Sequence, residues 1–217
     1  MALTLYAHPF SSYCQKVLIA LYENGTPFEL RNLEDPTASA ELEALWPLKR
    51  FPVLVDDGHT VLESSSIIEY LDGRYAGPQK MIPEDPATAI EARTMDRIFD
   101  NYIMTPMQKP VIDALRPEGD RDPYGVREAR SALDKAYRWL DKKMAERTWA
   151  AGSDFSIADC AAAPSLFYAD WVQEIGNAYP HLRAYRARLL ARPSFARAVD
   201  EARPFRHYFP LGAPDRD

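Results

Sequence analysis

The 217-residue chain has few cysteines, few histidines, no excess of basic charge and no long apolar run. Each shortage closes a route. Two cysteines, Cys14 and Cys160, lie far apart in the chain and make no disulfide framework, which fits a reducing cytoplasm. The four histidines (His8, His59, His181 and His207) show no metal-ligand spacing, so no metal is expected. No apolar stretch approaches the roughly 20 residues of a membrane helix, and the N-terminus has neither the charged start nor the apolar core of a signal peptide. With a net charge of −6, a phosphate backbone finds no basic surface, and nucleic acid is not expected as a partner. The nine glycines form no phosphate-cradling loop, and no serine-histidine-acid signature, internal repeat or low-complexity tract is present.

What is there is an ordinary globular composition, 47% hydrophobic and 27% charged, whose pattern changes along the chain. Up to about residue 76 the order is strand, helix, strand, helix, strand, strand, helix. Leu3 to Tyr6 alternates as a strand, and Val17 to Leu21 continues a helix whose positions 14, 17, 18 and 21 share one face. Asn24-Gly25-Thr26-Pro27 stops that helix, and Phe28 to Leu33 alternates again. Ala38 to Trp46 is a short helix; Pro52 to Val55 is apolar throughout, as in a strand buried on both faces. Asp56-Asp57-Gly58-His59 carries a hairpin signal into Thr60-Val61-Leu62. A proline-rich linker is expected at 77–86, and all-helical periodicity over 87–217. One stripe there is Met95, Ile98, Phe99, Tyr102 and Ile103, expected to bend or end near Pro106 and Pro110. Another runs from Val126 to Met144. Further helices are expected at about 156–173, 179–191 and 194–203, with an irregular end.

Three stretches carry chemistry. In Pro9-Phe10-Ser11-Ser12-Tyr13-Cys14-Gln15-Lys16-Val17 a strand hands over to a helix, whose unpaired N–H groups and partial positive charge favour an anion such as a thiolate. Ser11 either caps that helix or donates its hydroxyl to a bound sulfur. Arg50-Phe51-Pro52-Val53-Leu54-Val55 sets a proline immediately before an apolar strand. Val61 to Leu71 runs from a strand end through Glu63 and a serine-rich turn into a helix, where Ser66-Ile67-Ile68-Glu69 also spells a capping box. A second capping box, Ser156-Ile157-Ala158-Asp159, has a purely structural role: Asp159 accepts the Ser156 N–H.

In this order and spacing the first three stretches resemble the N-terminal domain of the cytosolic glutathione S-transferases, of the serine type and theta- or zeta-like. The resemblance implies a thioredoxin-like α/β domain over 1–76, followed by an all-α domain. It implies that Ser11 donates to the sulfur of reduced glutathione, with Ser12 and then Tyr6 as rivals for that role. Phe51-Pro52 matches the family's cis-proline, with the Phe51 backbone facing the cysteinyl part of the ligand. Arg50 fits the basic position for the glycyl carboxylate, although Lys49 stands where the family usually writes glycine. Glu63 and Ser64 match its acid-serine pair for the γ-glutamyl end, and Phe10 and Ser12 complete the expected binding set. A second substrate, a small hydrophobic electrophile, is expected between the domains against Phe10, Tyr102, Met104 and Met107, with Tyr208 and Phe209 as a lid. The family is usually a homodimer.

Thioredoxin-like redox proteins place two cysteines around a two-residue spacer. Here Ser11 takes the first position and Cys14 the second, so a dithiol mechanism is not available, and Cys14 and Cys160 are expected in the core. Three alternatives to conjugation stay open. One is a maleylacetoacetate isomerase, whose cysteine directly follows the serine pair, where Tyr13 intervenes here. Another is a non-catalytic binding or regulatory module. The third is a glutathione-dependent disulfide reductase or peroxidase.

Overall fold

The computed structural model describes residues 3–217, so the expected start of the first domain at residue 1 lies outside the described residues. Four strands form one mixed sheet: β1 (Leu3–Ala7), β2 (Glu29–Asn32), β3 (Val53–Asp56) and β4 (His59–Leu62), in the order β2-β1-β3-β4. β1 pairs in parallel with β2 and antiparallel with β3, and β3 pairs antiparallel with β4. The parallel pair needs a crossover, and α1 (Ser12–Glu23) supplies it. The antiparallel pair needs only a tight turn. Asp57 and Gly58 both take positive φ, 48° and 84°, as the hairpin twist requires. α2 (Pro36–Leu45) and α3 (Ser64–Arg74) complete this part. Asp56 anchors α3 to β3 by accepting from the Tyr70 and Tyr75 hydroxyls, each at 2.7 Å, and from Arg74 at 3.1 Å.

Helices α4 (Pro86–Ile98), α5 (Thr105–Ala114), α6 (Pro123–Met144), α7 (Ile157–Val172), α8 (Pro180–Leu190) and α9 (Pro193–Ala202) follow, then a 3₁₀ stretch at Arg203–Tyr208 and an irregular end. α7 is the central helix of this half and is buried almost end to end. The expected capping box at its start is present: Ser156 N–H donates to Asp159 at 2.9 Å, while Ser156 Oγ accepts the Ala158 N–H at 3.3 Å.

Two expectations need correction. The helix expected to bend or end near Pro106 and Pro110 does not end there, and its irregularity lies just before them. A π-helical stretch, Phe99–Met104, joins α4 to α5, Pro106 falls in the first turn of α5, and Pro110 sits inside it. The wider π turn also resets the helix phase. Phe99, Ile103 and Met104 are buried, whereas Tyr102 is 62% exposed. Second, α1 does not bury a single face: every residue from Cys14 to Leu21 is buried, Gln15 and Lys16 included. α3, α7 and α9 all pack on α1, and Leu3, Leu5, Ala7 and Leu54 of the sheet join the same buried cluster, so one apolar cluster runs through both halves of the molecule.

Candidate functional site

The ends of β1 and β4, the segment before β3 and the starts of α1 and α3 converge on one cavity of about 670 Å³, closed on its far side by α5 and the chain end. That size and shape suit a small-molecule site. Phe10, Ser11, Ser12, Arg50, Phe51, Pro52, Glu63, Ser64, Met107, Tyr208 and Phe209 all line it. Two expected residues do not. Tyr102 points to solvent because of the phase change in the π stretch. Met104 is 1% exposed and turns into the core, where its sulfur accepts the Ser12 hydroxyl at 3.3 Å.

The start of α1 sorts the three groups expected to compete for a bound thiolate, and shows where Cys14 lies. Ser11 is the N-cap in extended conformation, and its Oγ accepts the Cys14 N–H at 3.4 Å. Accepting through a lone pair leaves the hydroxyl able to donate as well, so capping and donation are compatible, although the Cys14 thiol also lies within its reach. Ser12 directs its proton to Met104. Tyr6 donates to Glu41 at 3.1 Å and does not line the cavity; burial and that carboxylate push its phenol above the ordinary value. Cys14 is fully buried, and desolvation pushes its thiol up to about 12 despite the His8 N–H on its sulfur at 3.4 Å. A neutral core thiol of this kind is unreactive. Cys160 is likewise buried and raised, mainly by desolvation. Tyr168 fixes the loop before α1: its hydroxyl donates to the Phe10 carbonyl at 3.0 Å and accepts from Gln15 at 3.1 Å.

On the opposite wall, the Phe51–Pro52 bond is cis. Lys49 next to this segment adopts φ 51°, the left-handed conformation that glycine takes without strain. The start of α3 is open. Glu63, its N-cap, has φ 67° and makes no side-chain cap bond. The expected box from Ser66 to Glu69 is absent. Ser66 lies inside the helix, and Glu69 is held by Arg93 through two bonds of 3.0 and 2.9 Å. The first N–H groups of α3 therefore face the cavity without a side-chain partner, which makes an anion site. Strained backbone beside an uncapped helix is typical of a ligand clamp.

Sequence patterns alone missed Arg97 and Asp100, which also line the cavity, and the buried group beneath them. The cavity wall thus carries Lys49, Arg50 and Arg97 as cations and Glu63 and Asp100 as anions. The signal available in the sequence was Gln15-Lys16, a polar pair inside an otherwise apolar run. Among the described residues no cluster of three or more His, Cys, Asp or Glu could hold a metal ion, and no helix is long and apolar enough to cross a membrane.

A thioredoxin-like sheet whose helix starts, one of them uncapped, face a helical half across one cleft defines a glutathione S-transferase fold. Family models agree: residues 5–79 match the glutathione S-transferase N-terminal domain, and residues 102–193 match the C-terminal domain. The chain belongs to the glutathione S-transferase family. A glutathione S-transferase from Methylobacillus flagellatus, solved with glutathione bound, superposes with a TM-score of 0.80 at 27% identity, covering 91% of this chain and 98% of that one. A probable maleylacetoacetate isomerase from Vibrio cholerae is 29% identical over 94% of this chain and 98% of its own length. A stringent starvation protein A homolog from Haemophilus ducreyi is also 29% identical, over 93% and 92%.

Proposed function

We propose that the protein is a serine-type glutathione transferase, binding reduced glutathione in this cavity and adding its sulfur to a small hydrophobic electrophile. The observation that carries the proposal is the sorting of groups at the start of α1: Ser11 lines the cavity with a hydroxyl able to donate, while Ser12 and Tyr6 donate elsewhere and Cys14 is buried. The charges support the same ligand. Glutathione has two carboxylates and one ammonium. Arg50 suits the glycyl carboxylate, the open start of α3 with Ser64 suits the γ-glutamyl carboxylate, and Glu63 suits the ammonium. A free thiol titrates near ~8.5, so the Ser11 hydroxyl and the positive end of α1 enlarge the thiolate fraction at neutral pH. The thiolate attacks the electrophilic carbon, the leaving group departs with its electron pair, and the thiol proton goes to solvent. Phe10, Met107, Tyr208 and Phe209 give the electrophile its apolar wall. We further infer a cytoplasmic homodimer, for which exposed Leu48 and Phe51 offer apolar surface.

Calorimetric titration with reduced glutathione, combined with thiolate absorbance across pH, tests this. The wild type is expected to bind and to lower the thiol pKa. Ser11→Ala is expected to keep binding, lose the pKa shift and drop about 100-fold in kcat/KM at neutral pH, as when one preorganised donor is removed. No binding by the wild type, or an undiminished shift in Ser11→Ala, would sink the proposal. The Vibrio cholerae relative supports a second reading, glutathione-dependent isomerisation. The inserted Tyr13 and the inaccessible Cys14 count against it, and comparing turnover of maleylacetoacetate with that of an aryl halide decides between the two.

A further inference from the structure

Lys16 is charged, 1% exposed and in the middle of the first helix. Its Nζ is surrounded by three acceptors: Asp96 Oδ1 at 2.5 Å, Asp100 Oδ2 at 2.7 Å and Ser65 Oγ at 2.8 Å. Two of these contacts are hydrogen bonds, to Asp100 and Ser65; the Asp96 Oδ1 contact is an ion pair, and that buried oxygen has no hydrogen-bond donor among the described residues. Ser65 in turn donates to Asp96 Oδ2 at 2.8 Å and accepts from Arg97 at 3.0 Å. Two cations and two carboxylates thus balance around one hydroxyl. The group ties three elements together: α1 through Lys16, the first turn of α3 through Ser65, and the α4–π helix through Asp96 and Asp100. Ser65 and Asp100 are also part of the cavity wall, whereas Lys16 is not.

A buried charge is costly unless paired, and a buried pair is by itself weak evidence of stabilisation. This one lies directly under the uncapped start of α3, where Glu63 has positive φ and Ser64 faces the cavity. No side-chain cap fixes that helix start from its own end. The bond from Lys16 to Ser65 fixes it from below.

We propose that Lys16 is a positioning residue for the polar end of the cavity: by holding Ser65 and Asp100 it sets the subsite that recognises an α-amino-acid group. This rests on the proposed binding of glutathione, whose γ-glutamyl end is that group. The discrimination it confers is between ligands that carry the γ-glutamyl residue and ligands that lack it.

The experiment compares calorimetric affinities for glutathione and for cysteinylglycine, the same thiol without its γ-glutamyl residue, in wild type, Lys16→Met, Lys16→Arg and Ser65→Ala. Melting curves check that each variant is folded. The wild type is expected to prefer glutathione. Lys16→Met and Ser65→Ala are expected to lower that preference about tenfold, the scale of one hydrogen bond to a charged group, with cysteinylglycine affinity little changed. Lys16→Arg is expected to restore part of it. If Lys16→Met does not fold, Ser65→Ala, which removes one hydroxyl, carries the test alone. A folded Ser65→Ala or Lys16→Met with the wild-type preference overturns the role of Lys16. Wild-type protein that binds glutathione no better than cysteinylglycine overturns the subsite and leaves transferase function standing. Wild-type protein that binds neither overturns both.

Discussion

The starts of α7 and α3 are both rich in serine and acid, and they are used in opposite ways. At α7, Ser156 is 1% and Asp159 0% exposed, and every oxygen has a partner. Asp159 accepts from Ala150 N–H at 2.8 Å, Ser156 N–H at 2.9 Å and the Tyr185 hydroxyl at 2.6 Å. At α3 the N-cap residue Glu63 makes no cap bond, and the Ser64 side chain has no hydrogen-bond partner among the described residues. One helix start devotes its polar groups to the fold. The other leaves them for a ligand and is supported from beneath by Lys16. The same residue types therefore predict function only when it is known where their bonds go.

Asp159→Ala should sharpen that comparison most. It leaves three buried donors without an acceptor, at about 1–3 kcal/mol each, so a loss of about 3–5 kcal/mol is expected. For a chain of this size that lowers Tm by about 10 °C, with activity per folded molecule nearly unchanged. Thermal melts and turnover normalised to folded protein check it; a large loss of turnover at unchanged Tm would contradict the structural assignment. There is also a pH signature. Burial raises the Asp159 carboxyl to about 6 against the pull of its hydrogen bonds. The folded pKa lies above the unfolded value of about 3.9, so the native state binds this proton more tightly and loses stability as pH rises between the two. The advantage of wild type over Asp159→Ala should then be greatest near pH ~4 and shrink until pH ~6. An advantage that grows across that window would show that the hydrogen bonds, not burial, dominate.

Ser64→Ala probes the other helix start and should do the reverse. Since the hydroxyl bonds to nothing in the described protein, Tm is expected to move by only about 1–2 °C, within the range of an uncritical substitution. Glutathione affinity should fall about tenfold, the loss of one hydrogen bond to a charged ligand group. Equal losses of stability in the two variants would erase the distinction between the helix starts.

Much of this arrangement was legible in the sequence because local rules decide it. Period-two alternation marked β1, the Asp57-Gly58 dipeptide marked the hairpin, and Ser156-x-x-Asp159 marked the start of α7. The strand-to-helix handover placed Ser11 at the first helix start. What local rules do not determine was misread or missed. Ser66 and Glu69 have capping-box spacing, yet Glu69 is taken by Arg93 on α4, a partner 24 residues away. Tyr102 and Met104 are expected in the cavity from the resemblance, and the π stretch turns one to solvent and the other into the core. Lys16 carries no sequence assignment, because nothing near it in the chain announces Asp96 and Asp100. Long-range pairing decided the first and the last, and a local change of helix type decided the second.

The smallest expected effect concerns Lys49, next to the cis bond and opposite both helix starts. The family usually has glycine there, and the φ of 51° explains the preference: a side chain in the left-handed region costs about 1–2 kcal/mol. Glycine relieves that strain but adds about 0.5–1 kcal/mol of unfolded-state freedom. The Lys49–Glu43 pair that would be lost, 2.7 Å apart with both side chains more than half exposed, contributes little in water. Lys49→Gly should therefore stabilise the fold by about 0.5 kcal/mol, a Tm rise of about 1–2 °C. Glutathione binding should change little, because Arg50 carries the carboxylate contact in the proposed site. If Tm instead falls by several degrees, Lys49 is contributing to the cavity wall through contacts that outweigh its backbone strain. The comparison would then have to include this third segment as one whose bonds serve the fold.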